Sequence, residues 1–236
     1  MIIFFWFIFT YTGKVPPTSL PSLSAVKDTF IEMLKSGQLS NDLSLSLRRV
    51  LAGFFISSIL GISLGIFMGI SSKAKEFFQL TLTAIRQIPM IAWIPLIILW
   101  AGIGEVSKIV VILFAATFPI VVNTMGGVDS TSETYLEVAK MYGLSKKDTF
   151  FKVYLPSALP NIFTGLRLGL GASWMAVVAS ELIASSSGIG YRLNDARSLM
   201  RSDVVIVCMI IIGLVGLLMD KLIVLISHEL TPWKKN

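Results

Sequence analysis

The chain has one cysteine, Cys208, and one histidine, His228, in 236 residues. A lone cysteine excludes an internal disulfide, and a lone histidine near the C-terminus leaves almost no material for metal or hydrolytic chemistry. No G-x-x-x-x-G-K-[ST] phosphate loop is present, and the single Gly-Lys pair, Gly13–Lys14, has the wrong context. No paired carboxylates on a helix face support acid–base catalysis. The chain is therefore read as no enzyme, binding neither metal nor cofactor itself. Charge is scarce as well, at 14% of residues. The net charge of +6 does not point to nucleic acid, because in a polytopic protein excess Lys and Arg report orientation and headgroup contact.

What is abundant is apolar: 54% hydrophobic residues and a mean hydropathy of +0.79, too apolar for a soluble domain of this length. The partner implied is the lipid bilayer. A helix needs about 20 residues to cross roughly 30 Å of hydrocarbon. Five runs reach that length: Val50–Ile70, Phe77–Ile103, Ile109–Val128, Ser157–Ser187 and Val204–Ile226. The second contains Arg86 and is interrupted by Pro89 and Pro95; the fourth carries Arg167 and Glu181 on either side of Trp174. Met1–Gly13 is apolar but reaches only about 20 Å. It is read as the remainder of a first span shortened by a late start, not as a signal peptide, since no basic residue precedes it. The expected organisation is all-α, one polytopic domain of six transmembrane helices. It runs as a partial first span (1–13), an external or interfacial segment (14–49) with a helix over Ser24–Leu34, spans two to four (50–128), a polar loop (129–156), spans five and six (157–226) and a tail (227–236).

Lys and Arg gather on one side if the spans alternate. The polar loop carries Lys140, Lys146, Lys147 and Lys152, the turn after Ile70 carries Lys73 and Lys75, and the tail carries Lys234 and Lys235. That side is read as cytoplasmic, with both termini on it.

The loop itself reads as two short helices folded against each other. Ser130 with Glu133 and Ser145 with Asp148 have capping-box spacing, Gly143 supplies a left-handed residue between the helices, and Pro156 is expected to limit the second. Tyr135, Val138, Ala139 and Tyr142 recur at i, i+3, i+4, i+7 as an apolar stripe, with Glu137, Lys140, Lys146 and Lys147 able to form a charged rim. Ala139, Gly143, Leu144 and Ser145 also resemble the turn of a DNA-binding helix-turn-helix, but spans begin within a few residues on both sides and leave no third helix.

Inside the spans, Gly61, Gly65 and Gly69, and again Gly165 and Gly169, repeat at four-residue spacing, a seam for helix packing or a hinge. Pro89 and Pro95 free backbone carbonyls, so their span is buried in protein or lines a cavity. Arg86 reads as an interfacial anchor or a pathway residue, Arg167 as facing the pathway or paired, Glu181 as paired with a basic residue of the external loop, and Trp174 as core or path lining.

The order Glu137-Val138-Ala139, three residues, Gly143, nine residues, Val153, one residue, Leu155-Pro156 resembles the cytoplasmic loop signature of permease subunits of ATP-binding-cassette importers, with Val138 and Val153 in place of alanine and isoleucine. The stretches IRQIPMIAWIPLIILWAGIGEVSK and TGLRLGLGASWMAVVASELIASSSGIGYRLNDAR resemble the sulfonate, taurine, nitrate and bicarbonate branch; similar permeases import vitamin precursors. The resemblance implies a type I importer permease fold in a bacterial cytoplasmic membrane. It implies a second permease copy, two cytoplasmic ATPase subunits that hold ATP and magnesium, and an extracytoplasmic substrate-binding protein. The ATPase would dock on Glu137, Val138, Ala139, Tyr142, Gly143, Ser145, Lys146, Leu155 and Pro156. Arg86, Pro89, Trp93, Pro95, Arg167, Trp174 and Glu181 are the candidate pathway residues. A secondary transporter would need ion-coupling acids and inverted repeats, which are not apparent, and a non-transporting receptor or assembly protein would not need such a loop.

Overall fold

The computed structural model describes residues 18–233 together with Trp6, Thr10 and Pro16. Apart from Trp6 and Thr10, the expected first span lies outside the described residues, as do Lys234 and Lys235. Among the described residues the chain is helical and contains no strand. Helix α1 (Leu23–Lys35) starts at Ser22, whose hydroxyl accepts the Ala25 N–H. Helix α2 (Gln38–Ile70) follows and begins at Gln38 rather than Val50. Its first turns looked like a polar surface segment because Asp42, Ser46 and Arg49 interrupt the apolar run. They share one face at i, i+4, i+7, and all three are buried.

The next expected span is two helices, α3 (Ser72–Arg86) and α4 (Met90–Ala101), bent by 97° relative to each other. Pro89 is the cause: its ring disfavours helical geometry at Ile88, and it sits at the N-cap of α4. Then come α5 (Glu105–Asp129), the short α6 (Glu133–Met141) and α7 (Lys146–Thr149), a π turn (Phe150–Tyr154), α8 (Leu155–Ala184), α9 (Ile189–Ser198) and α10 (Ser202–Leu230).

The seam expected along α2 packs on α5. A Cβ added to Gly53, Gly61, Gly65 or Gly69 would lie 2.6–2.7 Å from Ile112, Ile120, Thr124 or Val128, respectively. Only glycine lets the two backbones approach this closely, which is how apolar helices associate in lipid without a hydrophobic driving force. The paired numbers rise together with a fixed offset, so α2 and α5 run parallel. The chain must cross back between them, which makes α3 and α4 together one broken crossing rather than a re-entrant loop. By contrast, Gly127 of α5 faces Asn161, Gly165 faces Asn123 and Gly169 faces Ile120, so α5 and α8 are antiparallel. Helices α8 and α10 are antiparallel too: Trp174 Nε1 donates to the Ile212 carbonyl at 3.0 Å and Arg167 pairs with Asp220. Ile70, Asp129, α6, α7 and Leu230 therefore share one face, and Glu105, Ala184 and α9 share the other. The main core lies between α2, α8, α9 and α10, around Val50, Trp174, Val177, Ile189 and Cys208.

Candidate docking interface and candidate pathway

Helices α6 and α7 stand on the face shared by the ends of α2, α5 and α10. Ser130 does not cap α6. It closes α5, its N–H bonding the Gly126 carbonyl, and the cap of α6 falls two residues later at Ser132, which makes no side-chain cap bond. The reversal occurs at Gly143, with φ +64°. Gly143 N–H reaches Lys140 O and Leu144 N–H reaches Ala139 O, both at 3.0 Å, the paired bonds of a Schellman C-cap. Ser145 Oγ accepts the Asp148 N–H at 3.1 Å and donates to its carboxylate at 2.5 Å, which starts α7.

Pro156 does not end the second helix. Phe150–Tyr154 widens into a π turn, in which Leu155 N–H bonds Phe150 O five residues back, and the helix continues unbroken as α8. Proline falls at the second residue of α8, where the widened turn accommodates a ring that a regular α-turn would clash with.

The apolar stripe mostly faces outward. Ala139 is buried, but Tyr135, Val138, Met141 and Tyr142 are exposed, Met141 and Tyr142 by more than 80%. Tyr135, Val138, Ala139 and Tyr142 line one side of an open groove of about 960 Å³, whose other walls are Val153, Pro156 and Trp233. Glu137, Lys140, Ser145, Lys146 and Lys147 are exposed around it, and Leu155 is half-buried. A large exposed aromatic and aliphatic patch rimmed by charge is the composition of a protein-binding surface.

The candidate pathway residues separate into two groups. Arg86, Pro89 and Trp93 line a groove of about 360 Å³ with Phe114, Asn123 and Leu168. The α5 residues in it, from Phe114 to Asn123, are the middle of that helix, while Arg86 also lines a smaller cavity with Met68 and Met125, nearer the ends of α2 and α5. Arg86 is exposed at the corner that Pro89 makes, and of α3 only Ala74 is buried. Pro95 lies within α4 but does not line the groove.

The remaining three do not face it. Arg167 forms a bidentate pair with Asp220 of α10, at 2.5 and 2.8 Å. Trp174 is core, 4% exposed. Glu181 is buried and pairs not with the loop around Tyr191–Asp203 but with Arg49 of α2, at 2.6 Å. Ser46 also donates to its carboxylate at 2.8 Å, and Gly190 N–H at 3.0 Å.

Arg49 was not singled out from the sequence, nor were Asp42, Ser46 and Glu105. The guanidinium of Arg49 makes five bonds: two to Glu105, at 2.6 and 2.7 Å, one to Glu181, and one each to the carbonyl and hydroxyl of Ser187. Asp42 accepts from Arg192 of α9 at 2.9 Å. These groups tie α2, α5, α8 and α9 together at the face opposite α6. The signal available in the sequence was the helical spacing of Asp42, Ser46 and Arg49 directly ahead of an apolar run.

Residues 57–231 match the family model described as binding-protein-dependent transport system inner membrane component. The chain is similar to a Bacillus subtilis protein named as a permease for aliphatic sulfonates transport, SsuC, at 37% identity over 100% of this chain and 86% of the relative. It is similar to the nitrate import permease protein NrtB of a Synechocystis strain, at 37% over 79% and 68%. It is also similar to the taurine transport system permease protein TauC of Escherichia coli, at 31% over 97% and 85%. Among solved structures, a crystal structure of an amino acid ABC transporter with histidines superposes with a TM-score of 0.69 at 17% identity, over 85% of this chain and 98% of that one. The inward-facing MetNI methionine ABC transporter gives 0.68 at 18%, over 80% and 96%. At those identities the likeness concerns the fold.

Proposed function

This chain belongs to the family of binding-protein-dependent transport system inner membrane components, and from that premise we propose that α6 and α7 seat a separate ATPase subunit that drives import of a small anion. The relatives named for aliphatic sulfonates, taurine and nitrate support the choice of solute class. Two copies of the chain form the route, two ATPase subunits with ATP and magnesium sit on the face that carries α6, and an external binding protein delivers the solute to the opposite face. The face with α6 is cytoplasmic, in keeping with Lys73, Lys75, Lys140, Lys146, Lys147 and Lys152 on it. ATP binding closes the ATPase pair, the docked helices move together, the spans open outward, and hydrolysis resets the cycle.

The observation that carries this reading is the exposed patch of Tyr135, Val138, Met141 and Tyr142 on a helix pair whose angle is set by Gly143. A solvated connector has no reason to hold such residues outward in capped helices. Tyr142→Asp adds a charge to the patch, and Gly143→Val places a β-branched residue at positive φ. Both should abolish copurification of the ATPase subunit and uptake while leaving the amount of permease in the membrane unchanged. Wild-type copurification and uptake in both variants would sink the reading.

A further inference from the structure

Arg86 stands at the corner between α3 and α4, and among the described residues its guanidinium has neither a hydrogen-bond nor an ion-pair partner. Its groove lies against the middle of α5, and a smaller cavity of about 150 Å³, lined by Arg86, Met68 and Met125, continues towards the face that carries α6. A cation on a membrane-spanning segment is costly unless protein, water or a counter-ion answers it. Arg167 on the neighbouring α8 is answered by Asp220 and buried Glu181 by Arg49. Arg86 is left open towards a groove large enough for a small solute.

The rest of the groove suits one kind of ligand. Asn123 spends one Nδ2 hydrogen on the Pro119 carbonyl at 2.7 Å and keeps its second amide hydrogen and its Oδ1. Trp93 is tilted against Phe114, with ring centroids 5.5 Å apart, and gives an apolar wall. A guanidinium presents parallel N–H groups that match two oxygens of a sulfonate, carboxylate or nitrate. No carboxylate lines the groove to oppose an anion.

We propose that Arg86, with the Asn123 amide and the Trp93 ring, forms an anion subsite on the translocation route, holding the sulfonate or oxyanion group of the solute while the organic part lies on the indole. The assignment rests on the anion-import reading above. A single unpaired cation in an open groove also meets the kinetic need of a route: attraction enough to draw the anion in, with too few bonds to keep it.

The test uses the whole transporter in proteoliposomes, with taurine, methanesulfonate and nitrate as probes. If the wild type imports none of them with ATP, the anion-import reading fails before this one is reached. With import established, Arg86→Cys should lower uptake of the imported probe about ten-fold, the loss of one pair of charge-assisted hydrogen bonds, with no loss in yield of the assembled complex. Cys208 is buried, so the new thiol can be modified selectively. Aminoethyl methanethiosulfonate restores a positive charge and should restore uptake, whereas the sulfonatoethyl reagent should not. Undiminished uptake in Arg86→Cys, or equal recovery with both reagents, overturns the subsite. If Arg86→Cys fails to assemble, Arg86→Lys should assemble with a raised KM for the probe and an unchanged kcat. An unchanged KM, or failure of both variants to assemble, overturns the proposal and makes the guanidinium structural.

Discussion

Arg49 meets Glu181 at 2.6 Å with both side chains sealed from solvent, one near the head of α2 and the other near the end of α8. Removing Glu181 leaves Arg49 with Glu105 as its remaining carboxylate and strips the buried Ser46 hydroxyl and Gly190 N–H of an acceptor, at a cost of about 1–3 kcal/mol. Glu181→Ala should therefore unfold in detergent well below the wild-type temperature. Glu181→Gln keeps an oxygen for Ser46 or Gly190 and should lose less. Equal melting of Glu181→Ala and the wild type would show that the pair holds nothing together.

The α2–α5 seam makes a contrasting pair of variants. Gly61→Leu drives a side chain into Ile120, and overpacking of this kind costs about 1–3 kcal/mol. Gly126, on α5, has open space where its Cβ would be, so Gly126→Ala should leave stability unchanged or raise it by up to ~1 kcal/mol through helix propensity. Thermal denaturation of the two purified variants checks both signs; a stable Gly61→Leu would mean that the helices can part.

Arg167 and Asp220 neutralise each other across α8 and α10, both about half exposed at the surface of the bundle. Asp220→Leu leaves the arginine without its counter-ion on the surface of a membrane-spanning helix and should lower the amount of protein recovered from membranes. Combining it with Arg167→Met removes both charges and should restore recovery. A double variant recovered as poorly as the single one would show that the pair has a role beyond neutralisation.

The docking helices were legible in the sequence because their geometry is local. A left-handed glycine and a serine cap act over four or five residues, and Gly143 and Ser145 do in the structure what their types and spacing predict. The glycine seam was legible for a similar reason: four-residue spacing marks one helix face whatever packs on it. Less legible were features that depend on which helix lies opposite. The sequence pairs Glu181 with the external loop because its partner, Arg49, sits 132 positions away, and Phe77–Ile103 reads as one span because a hydropathy run does not show a 97° corner. The misplaced start of α6 and the continuity past Pro156 are of another kind. Two serines two residues apart compete for one cap, and a π turn leaves no residue-type signature.

The unbroken passage from α7 through the π turn into α8 gives the molecule a strut. From Lys146 to Ala184 it is 39 residues long, roughly 58 Å of helix. One end carries the exposed docking residues, and the other, through Glu181, is bolted to α2 and α9. No loop lies between to absorb a twist or a push, so load applied at Lys146 arrives at the Arg49 cluster with little slack, and the π turn is where the strut has most compliance. The chain thus places its longest helical run, among the described residues, between the two faces that a transport cycle must keep in step.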